Sequence, residues 1–247
     1  MKEWISGRNP VYETLRAQRR QVFRLWIAEG AQEKGRLEEI LSLAATRKLP
    51  VDKVSRQKLD ALGENPQGVA LEASAYPYAG LEDILARAEE LNEPLFILLL
   101  DTIQNPQNLG ALLRTAEAAG VHGAILPLRH AAAITPAVVS ASAGASEHML
   151  VAQANLAQAI RILKDAGAWV VGLEGSPQAL PPEQVRLDGP LALVVGSEGE
   201  GMRLLVRSSC DLLMGLPMRG KVDSLNASVA GSIAIYLAYM ARRPRPN

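Results

Sequence analysis

The sequence lacks several features that would point to particular protein classes. Its single cysteine, Cys210, excludes a disulfide framework and a cysteine-rich zinc site. The three histidines, His122, His130 and His148, do not have the spacing of a metal site, so we predict no metal. Net charge is also missing, since 26 Lys and Arg balance 26 Asp and Glu. The whole chain therefore has none of the basic excess typical of nucleic-acid-binding domains.

Long apolar runs are missing as well. The longest uncharged apolar stretches cover residues 94–100 and 225–241, whereas a membrane-spanning helix needs about 20 apolar residues. The first ten residues contain no apolar run of a signal peptide. We therefore expect a cytoplasmic protein with no membrane segment. What is present is an ordinary globular composition, with 48% hydrophobic residues over 247 positions, which excludes disorder and collagen-like repeats.

The first 75 residues have the pattern of a small α/β domain. Apolar periodicity predicts two helices, at residues 9–20 and 32–47, and three strands, at 23–30, 49–55 and 68–74. A turn-rich break and an acidic segment, expected to be an exposed helix or linker, follow. We therefore predict a first domain over residues 1–75, a linker over 76–94 and a second domain over 95–247.

The second domain alternates predicted strands with predicted helices. Its short apolar strands show no period of two, which is typical of a parallel sheet covered on both faces. The predicted strands are 96–101, 123–127, 169–174 and 191–196, and the predicted helices are 108–119, 155–166 and a long one from about 224. Residues 131–146 are uncharged and small, and fit either a buried helix or a packed loop.

Three polar segments follow apolar strands of this domain, where open α/β sheets place their ligand crevices. In the first, over residues 101–121, Asn108 stands where a helix N-cap belongs and Arg114 falls outside the leucine stripe, as a surface arginine does. In the second, over 193–202, Glu198 lies in a G-x-x-G-x-G turn that is neither a dinucleotide fingerprint nor a P-loop but permits close backbone approach.

The third segment, over residues 216–236, places Ser224, Asn226 and Ser228 at the start of a helix. Two interpretations are open. Ser224 is a simple helix cap, or the three polar side chains are donors and acceptors for a polar or anionic ligand. Near the amino terminus, four arginines fall within nine residues: Arg16, Arg19, Arg20 and Arg24. They fit either a solvated helix face or a patch for RNA phosphates.

Together, three of these stretches resemble the three motifs of the SpoU-type (TrmH) RNA 2′-O-methyltransferases of the SPOUT superfamily. They are NPQNLGALLRT, VVGSEGEGM and LPMRGKVDSLNASVA, within residues 95–241. The amino-terminal SGRNPVYETLRA resembles the substrate-binding extension of the subgroup that methylates a guanosine of 23S ribosomal RNA. The resemblance implies an α/β fold in which a parallel-sheet catalytic domain with a carboxy-terminal trefoil knot follows a small α/β RNA-binding domain.

The same resemblance implies S-adenosylmethionine as cofactor, ribosomal RNA as substrate and a homodimer formed through the catalytic domains. It assigns catalytic roles to Asn108, Arg114, Glu198, Ser224 and Asn226. It assigns cofactor binding to Gly196, Glu198, Gly199, Leu216, Met218, Ser224, Leu225 and Asn226. We further expect RNA contacts from Arg8, Arg16, Arg19, Arg20 and Arg114.

The implied mechanism needs the ribose oxygen in line with the methyl group. Since an arginine keeps its proton up to a pKa of roughly 12 or more, we interpret Arg114 as a clamp on the adjacent phosphate instead of as the base. Phosphate, Glu198 and water stay open as acceptors of the hydroxyl proton. Asn226 and Ser224 are expected to orient cofactor or substrate, and Asn108 to hold its loop.

Three other functions are compatible with parts of the pattern. One is a non-catalytic RNA-binding protein of the same fold. Another is a nicotinamide-dependent oxidoreductase, although the G-x-G-x-x-G turn after the first strand is missing. The third is the same methyl transfer to a transfer-RNA nucleotide or to another ribosomal nucleotide.

Overall fold

The computed structural model describes residues 2–63 and 65–243, which form two compact units. The first unit comprises the chain up to Pro77 together with Ala133–His148, and the second comprises Tyr78–Ala132 and the chain from Met149 onward. The segment 133–148 thus belongs to the first unit although its chain neighbours on both sides belong to the second. The predicted division into consecutive domains at residues 75 and 94 does not describe this segment.

The described chain contains ten strands and nine α-helices, numbered in chain order. The strands are β1 (Lys2–Ser6), β2 (Val22–Ala28), β3 (Val51–Val54), β4 (Val69–Ser74), β5 (Phe96–Leu100), β6 (Gly123–Pro127), β7 (Leu150–Ala154), β8 (Trp169–Leu173), β9 (Leu191–Val195) and β10 (Leu212–Met214). The helices are α1 (Arg8–Ala17), α2 (Arg36–Thr46), α3 (Arg56–Asp60), α4 (Leu81–Leu91), α5 (Pro106–Ala118), α6 (Pro136–Ala141), α7 (Leu156–Asp165), α8 (Leu204–Ser209) and α9 (Ala227–Arg242).

The first unit is built on a four-stranded mixed sheet of order β1-β4-β2-β3. Strand β4 pairs antiparallel with β1 and β2, and β2 pairs parallel with β3. Helix α1 buries Val11 and Leu15, and it ends at residue 17, three residues earlier than predicted. The reason is Gln18, whose left-handed backbone (φ 57°) turns the chain out of the helix. Arg19 and Arg20 therefore do not continue the helical face of Arg16.

The second unit is a six-stranded parallel sheet of order β10-β8-β9-β5-β6-β7. Every residue of β5, β6 and β9 is buried. Helices α4, α7 and α8 pack on one face, where Ile84, Leu163 and Val206 share a core with Ile97 and Val194. Helices α5 and α9 pack against each other and α9 contacts β9. The predicted parallel sheet covered on both faces is confirmed, while the predicted trefoil knot stays a prediction.

Two helix starts differ from the predicted ones. Helix α5 begins at Pro106, and Asn105, not Asn108, is its N-cap, with the side-chain oxygen accepting a hydrogen bond from the Gln107 amide at 2.8 Å. Pro at the first helical position explains the earlier start, because its ring fixes a helical φ and its missing N–H is not needed there. Helix α9 begins at Ala227 and is capped by Asn226, so Ser224 lies before the helix.

The acidic segment that was expected to be an exposed helix or linker is helix α4. It is amphipathic: Ile84 and Ala88 are buried while its acidic side chains face outward. Among the residues that the structure describes, no helix combines the length and the apolar character that crossing a membrane requires.

Candidate active site

A cleft of about 630 Å³ lies at the carboxyl edge of the second unit's sheet. The chain enters it directly after three strands: at Glu174 after β8, at Gly196 after β9, and at Leu216 shortly after β10. Because parallel strands end at the same edge, these loops meet there. The cleft is lined by Leu173–Gly175, Val195–Gly201, Leu216, Met218, Asp223–Ala227 and Ala230.

The glycine-rich turn after β9 folds back on itself and carries Glu198 into the cleft. The Ser197 amide donates to the carbonyl oxygen of Gly201, and the Gly201 amide donates back to that of Ser197, both at 3.1 Å. A Cβ atom at Gly196 would lie 2.3 Å from the Gly201 carbonyl carbon, and Gly199 and Gly201 have φ values of 83° and 69°. The turn therefore requires glycine at these positions.

Three polar side chains from three distant segments meet at the cleft. The Asn226 side-chain amide donates to Asn108 Oδ1 at 3.1 Å and to Glu198 Oε1. The Ala227 amide also donates to Glu198 Oε1, at 3.2 Å. The other side of Asn226 caps α9, its Oδ1 accepting from the Ser228 amide at 2.9 Å. We call Asn108, Glu198 and Asn226 the cleft network; it ties α5, the glycine-rich turn and α9 together.

The cleft is acidic. It is lined by Glu174, Glu198, Glu200 and Asp223, and no Lys, Arg or His belongs to the described residues that line it. Arg207 donates to both carboxylate oxygens of Glu174, at 2.7 and 2.9 Å, from outside the cleft. These hydrogen bonds hold the pKa of Glu174 below its ordinary value. Such a cleft favours a ligand that carries positive charge and apolar surface.

Comparison with known proteins identifies the family. Residues 95–236 match the SpoU rRNA Methylase family, and residues 4–79 match the RNA 2′-O ribose methyltransferase substrate binding family. The chain belongs to the SpoU rRNA methylase family. Membership excludes the nicotinamide-dependent oxidoreductase that strand and helix alternation alone would allow.

Individual relatives of this SpoU family member match over nearly their whole length. YacO of Bacillus subtilis, assigned to the TrmH family of tRNA/rRNA methyltransferases, is 44% identical over 98% of this chain and 97% of YacO. The 23S rRNA (guanosine-2′-O-)-methyltransferase RlmB of Pseudomonas putida is 42% identical over 98% and 97%. In fold, the chain resembles the SpoU methyltransferase AviRb from Streptomyces viridochromogenes, whose structure was solved with AdoMet. The TM-score is 0.81 at 22% sequence identity, and the match covers 98% of this chain and 90% of AviRb.

Most predicted site residues of this SpoU family member line the cleft. Besides Glu198 and Asn226 these are Gly196, Gly199, Leu216, Met218, Ser224 and Leu225. Asn108 and Arg114 do not line it. Asn108 is hydrogen-bonded to Asn226 but lines a neighbouring pocket. Arg114 is exposed on α5, six residues beyond Asn108, and lines no part of the cleft. Six residues of helix advance the chain by about 9 Å, which separates Arg114 from the cleft network within its own chain.

The predicted RNA-contacting arginines of the first unit differ in how far their side chains are exposed. Arg20 is not on the surface, as the predicted RNA contact would require. It is only 4% exposed, and its guanidinium donates to Glu147, Glu3 and the Ser74 carbonyl oxygen. Arg19 is partly buried and donates to the Tyr76 hydroxyl and the Pro77 carbonyl oxygen. Arg16 is exposed. Arg8 is partly buried, with its side chain donating to the Gln67 carbonyl oxygen.

Sequence reasoning missed a second pocket of about 490 Å³ in the same unit, which we call the side pocket. It is lined by Thr102–Asn105, Asn108, His130, Ser197, Glu198, Glu200 and Arg203. It shares Ser197, Glu198 and Glu200 with the cleft. The sequence held one signal for this pocket: Asp101, a charged residue directly after the fully buried strand β5. Nothing in the sequence around Arg203 indicated that it lines a pocket.

Metal chemistry finds no support in the described part of the chain. Within residues 2–63 and 65–243, no group of three or more His, Cys, Asp or Glu side chains is placed to hold a metal ion.

Proposed function

We propose that the protein transfers a methyl group from S-adenosylmethionine to the ribose 2′-hydroxyl of a guanosine in 23S ribosomal RNA. The observation that carries the proposal is the cleft network. In it, Asn226 bonds to both Asn108 and Glu198, so residues of the three family motifs meet beside one acidic cleft, which Glu198 and Asn226 line. The near full-length similarity to the Pseudomonas putida RlmB supports the finer choice of substrate.

The cleft fits S-adenosylmethionine in size and chemistry. Its volume lies within the range of about 300–1,000 Å³ that small-molecule sites occupy. Leu173, Leu216, Met218 and Leu225 offer apolar surface to the adenosine, and the carboxylates of Glu174 and Asp223 suit the ammonium group. The cofactor supplies an electrophilic methyl group on a positively charged sulfur.

The residues of the cleft network orient the reactants. Asn226 keeps the Glu198 carboxylate in place, and the Ala227 amide at the start of α9 holds the same oxygen. Ser224 lies beside them with no bond within the described chain that would occupy its hydroxyl, and it is free to position cofactor or ribose. We assign Arg114 to the RNA phosphate next to the target ribose.

We further propose that the protein is a homodimer formed through the second unit. An apolar stripe runs along the exposed face of α9: Val229, Ile233, Tyr236, Leu237 and Met240 are each 36–58% exposed. Arg114 lies near this helix in space, since the Oγ1 atom of its chain neighbour Thr115 lies 2.9 Å from the Ser232 hydroxyl oxygen of α9. A second copy on the stripe would let Arg114 act across the interface. Sedimentation of Ile233→Glu against the wild type tests the dimer.

A methylation assay tests the function. We expect the protein to transfer the labelled methyl group of S-adenosylmethionine to 23S ribosomal RNA and nuclease digestion to release 2′-O-methylguanosine. Arg114→Ala should leave the Kd for the cofactor near that of the wild type and remove most turnover. Arg161→Ala, which removes an exposed arginine from α7, is the matched control and should keep full activity.

Other products of the assay would redirect or overturn the proposal. Methylation of transfer RNA or of a different ribosomal nucleotide would keep the reaction and replace the substrate. Cofactor binding without transfer to any RNA would favour a non-catalytic RNA-binding protein.

An RNA substrate and a single cysteine also fit the reducing environment of the cytoplasm, which we propose as the location.

A further inference from the structure

The side pocket is placed to receive the nucleotide whose ribose faces the cofactor. It adjoins the cleft through Ser197, Glu198 and Glu200, which line both. A nucleotide whose sugar reaches the cleft would therefore find the side pocket within the length of one base. This placement depends on the proposed methyl transfer, and the inference below rests on that function.

One pair of residues gives the side pocket a fixed donor. Asp101, which directly follows β5, has no exposed surface, and its carboxylate accepts two hydrogen bonds from Arg203 and forms an ion pair with its guanidinium. The Arg203 amide donates to Oδ2 at 2.8 Å, Nε donates to Oδ1 at 2.8 Å, and Nη2 lies 2.7 Å from Oδ1. A buried carboxylate with this many partners holds the guanidinium in one orientation.

The held guanidinium still has a free edge. Nε donates to Asp101 Oδ1 and one N–H of Nη2 faces the same oxygen, and no other residue in the described chain is bonded to the guanidinium. Nη1 and the second N–H of Nη2 form the end of the planar fork, with two parallel donors. The Arg203 side chain is 46% exposed where it lines the side pocket. A ligand in the pocket is thus met by two donors at a fixed spacing.

Guanine matches this arrangement better than phosphate or adenine does. Its O6 and N7 atoms are adjacent acceptors that an arginine fork binds in bidentate fashion, whereas adenine places an amino donor beside N7. The carboxylates of Glu198 and Glu200 in the same pocket can accept from the guanine N1–H and amino groups but would repel a phosphate. We propose that Arg203, oriented by Asp101, recognises the guanine base of the target nucleotide and determines specificity for guanosine over adenosine.

Substrates with single-atom changes in the base test this assignment. The probes are short RNAs carrying guanosine, adenosine or 7-deazaguanosine at the methylated position, compared by kcat/KM. Loss of a bidentate base contact lowers kcat/KM by roughly 5- to 150-fold. We expect the wild type to lose activity in that range on the adenosine RNA, and by less on the 7-deazaguanosine RNA, which keeps the O6 acceptor. Arg203→Lys keeps the charge but has no fork, and should be slow on guanosine and nearly indifferent to the substitution of N7.

Two further variants separate recognition from structure. Asp101→Asn weakens the ion pair that orients Arg203 and should reduce the preference for guanosine. If this variant does not fold, Arg203→Lys alone tests the role of Arg203. Arg207→Lys is the matched control, because Arg207 also forms a bidentate pair, with Glu174, yet does not line the side pocket. It should keep the full preference for guanosine. Cofactor Kd and the melting temperature, measured for every variant, report structural damage.

The outcomes distinguish this inference from the function beneath it. Full preference for guanosine and full sensitivity to N7 in Arg203→Lys would overturn the role of Arg203 while leaving the methyltransferase proposal intact. A wild type that methylates a nucleotide other than guanosine would overturn the role of Arg203 and keep the methyl transfer, whereas a wild type that methylates no RNA would overturn both. Selectivity for guanosine that is lost in Arg203→Lys at an unchanged cofactor Kd, and kept in Arg207→Lys, would establish the role of Arg203.

Discussion

Two polar networks, one in each unit, show opposite uses of the same kinds of side chain. In the first unit, the Arg20 guanidinium donates four hydrogen bonds of 2.8–2.9 Å, two of them to Glu147 and the others to Glu3 and the Ser74 carbonyl oxygen. Arg20 and Glu147 are 4% and 1% exposed. In the second unit, Glu198 and Asn226 are joined as tightly but are exposed in the cleft.

Burial decides what each network does. Although burial alone lowers the pKa of Arg20, its hydrogen bonds and charge pairing with Glu147 and Glu3 raise that pKa above its ordinary value. A buried pair of this kind presents no exposed group to a ligand and acts on stability. The cleft network has solvent-accessible oxygens on the ligand side and acts on binding. We expect the two networks to separate cleanly when each is broken.

Breaking the buried network should have the largest effect on stability. Glu147→Ala leaves Arg20 without its main counter-charge, and removing one partner of a buried pair costs about 3–5 kcal/mol. Urea unfolding followed by tryptophan fluorescence measures the loss in the first unit, which contains Trp4 and Trp26. The folded variant should bind S-adenosylmethionine as the wild type does, because the cleft belongs to the second unit.

The control for this variant is Glu33→Ala. Glu33 pairs with Lys53 at 3.5 Å in the same unit, but both side chains are about half or more exposed. Exposed pairs contribute about 0–1 kcal/mol, so this variant should unfold close to the wild type. If Glu147→Ala were as mild as Glu33→Ala, the buried network would not be the stabilising element that its geometry indicates.

Breaking the cleft network should reverse the pattern. Asn226→Ala removes the cap of α9, at a typical cost of about 1 kcal/mol in the free energy of unfolding, and also releases Glu198. We expect a modest change in stability and a large fall in cofactor affinity and turnover, measured by calorimetry and by the methylation assay.

A second capping asparagine supplies the matched control. Asn155 caps α7, with its side-chain oxygen accepting from the Gln158 amide at 3.2 Å, and lines neither pocket. Asn155→Ala should cost a similar amount of stability and leave cofactor affinity unchanged. Equal affinity losses in the two variants would mean that Asn226 acts through the helix alone.

The comparison also shows what the sequence could predict. The parallel sheet was predictable because fully apolar strands such as β5 and β9 must be covered on both faces. The resemblance predicted that Arg114, Glu198 and Asn226 share one cleft. Glu198 and Asn226 do meet there, whereas Arg114 of the same chain does not line it. The N-cap of α5 was misplaced because the NPQN stretch offers two asparagines, and the proline decides between them.

Burial of a charged side chain is what the sequence left hidden. Arg16, Arg19 and Arg20 form one basic stretch, yet Gln18 ends the helix between them and Arg20 turns inward to Glu147, 127 residues away in sequence. The pairing of Asp101 with Arg203 is likewise between residues 102 positions apart. No local pattern specifies such partners, because they are set by how the elements pack.

A third buried polar group, His122, predicts a smaller effect that depends on pH. The imidazole is almost fully buried, with Nδ1 accepting from the Phe96 amide at 3.0 Å and Nε2 lying 3.1 Å from a Glu93 oxygen. Burial lowers the pKa of His122, although Glu93 acts in the opposite direction. The unfolded chain therefore takes up a proton near the ordinary pKa of about 6.5, while the folded chain resists it. Stability should be full above that pH and fall as the pH drops toward the lowered pKa.

Unfolding midpoints between pH 7.5 and about 5 measure this contribution. His122→Gln removes the titrating group, so the variant should be less stable at neutral pH but lose less of its stability on acidification than the wild type. His130→Gln removes an exposed imidazole and should follow the wild-type curve. Parallel curves for wild type and His122→Gln would show that the buried imidazole does not govern the acid sensitivity of the second unit. In that case a buried polar group would govern stability only in the Arg20 network of the first unit. The difference between buried and exposed polar groups would then not apply to the second unit.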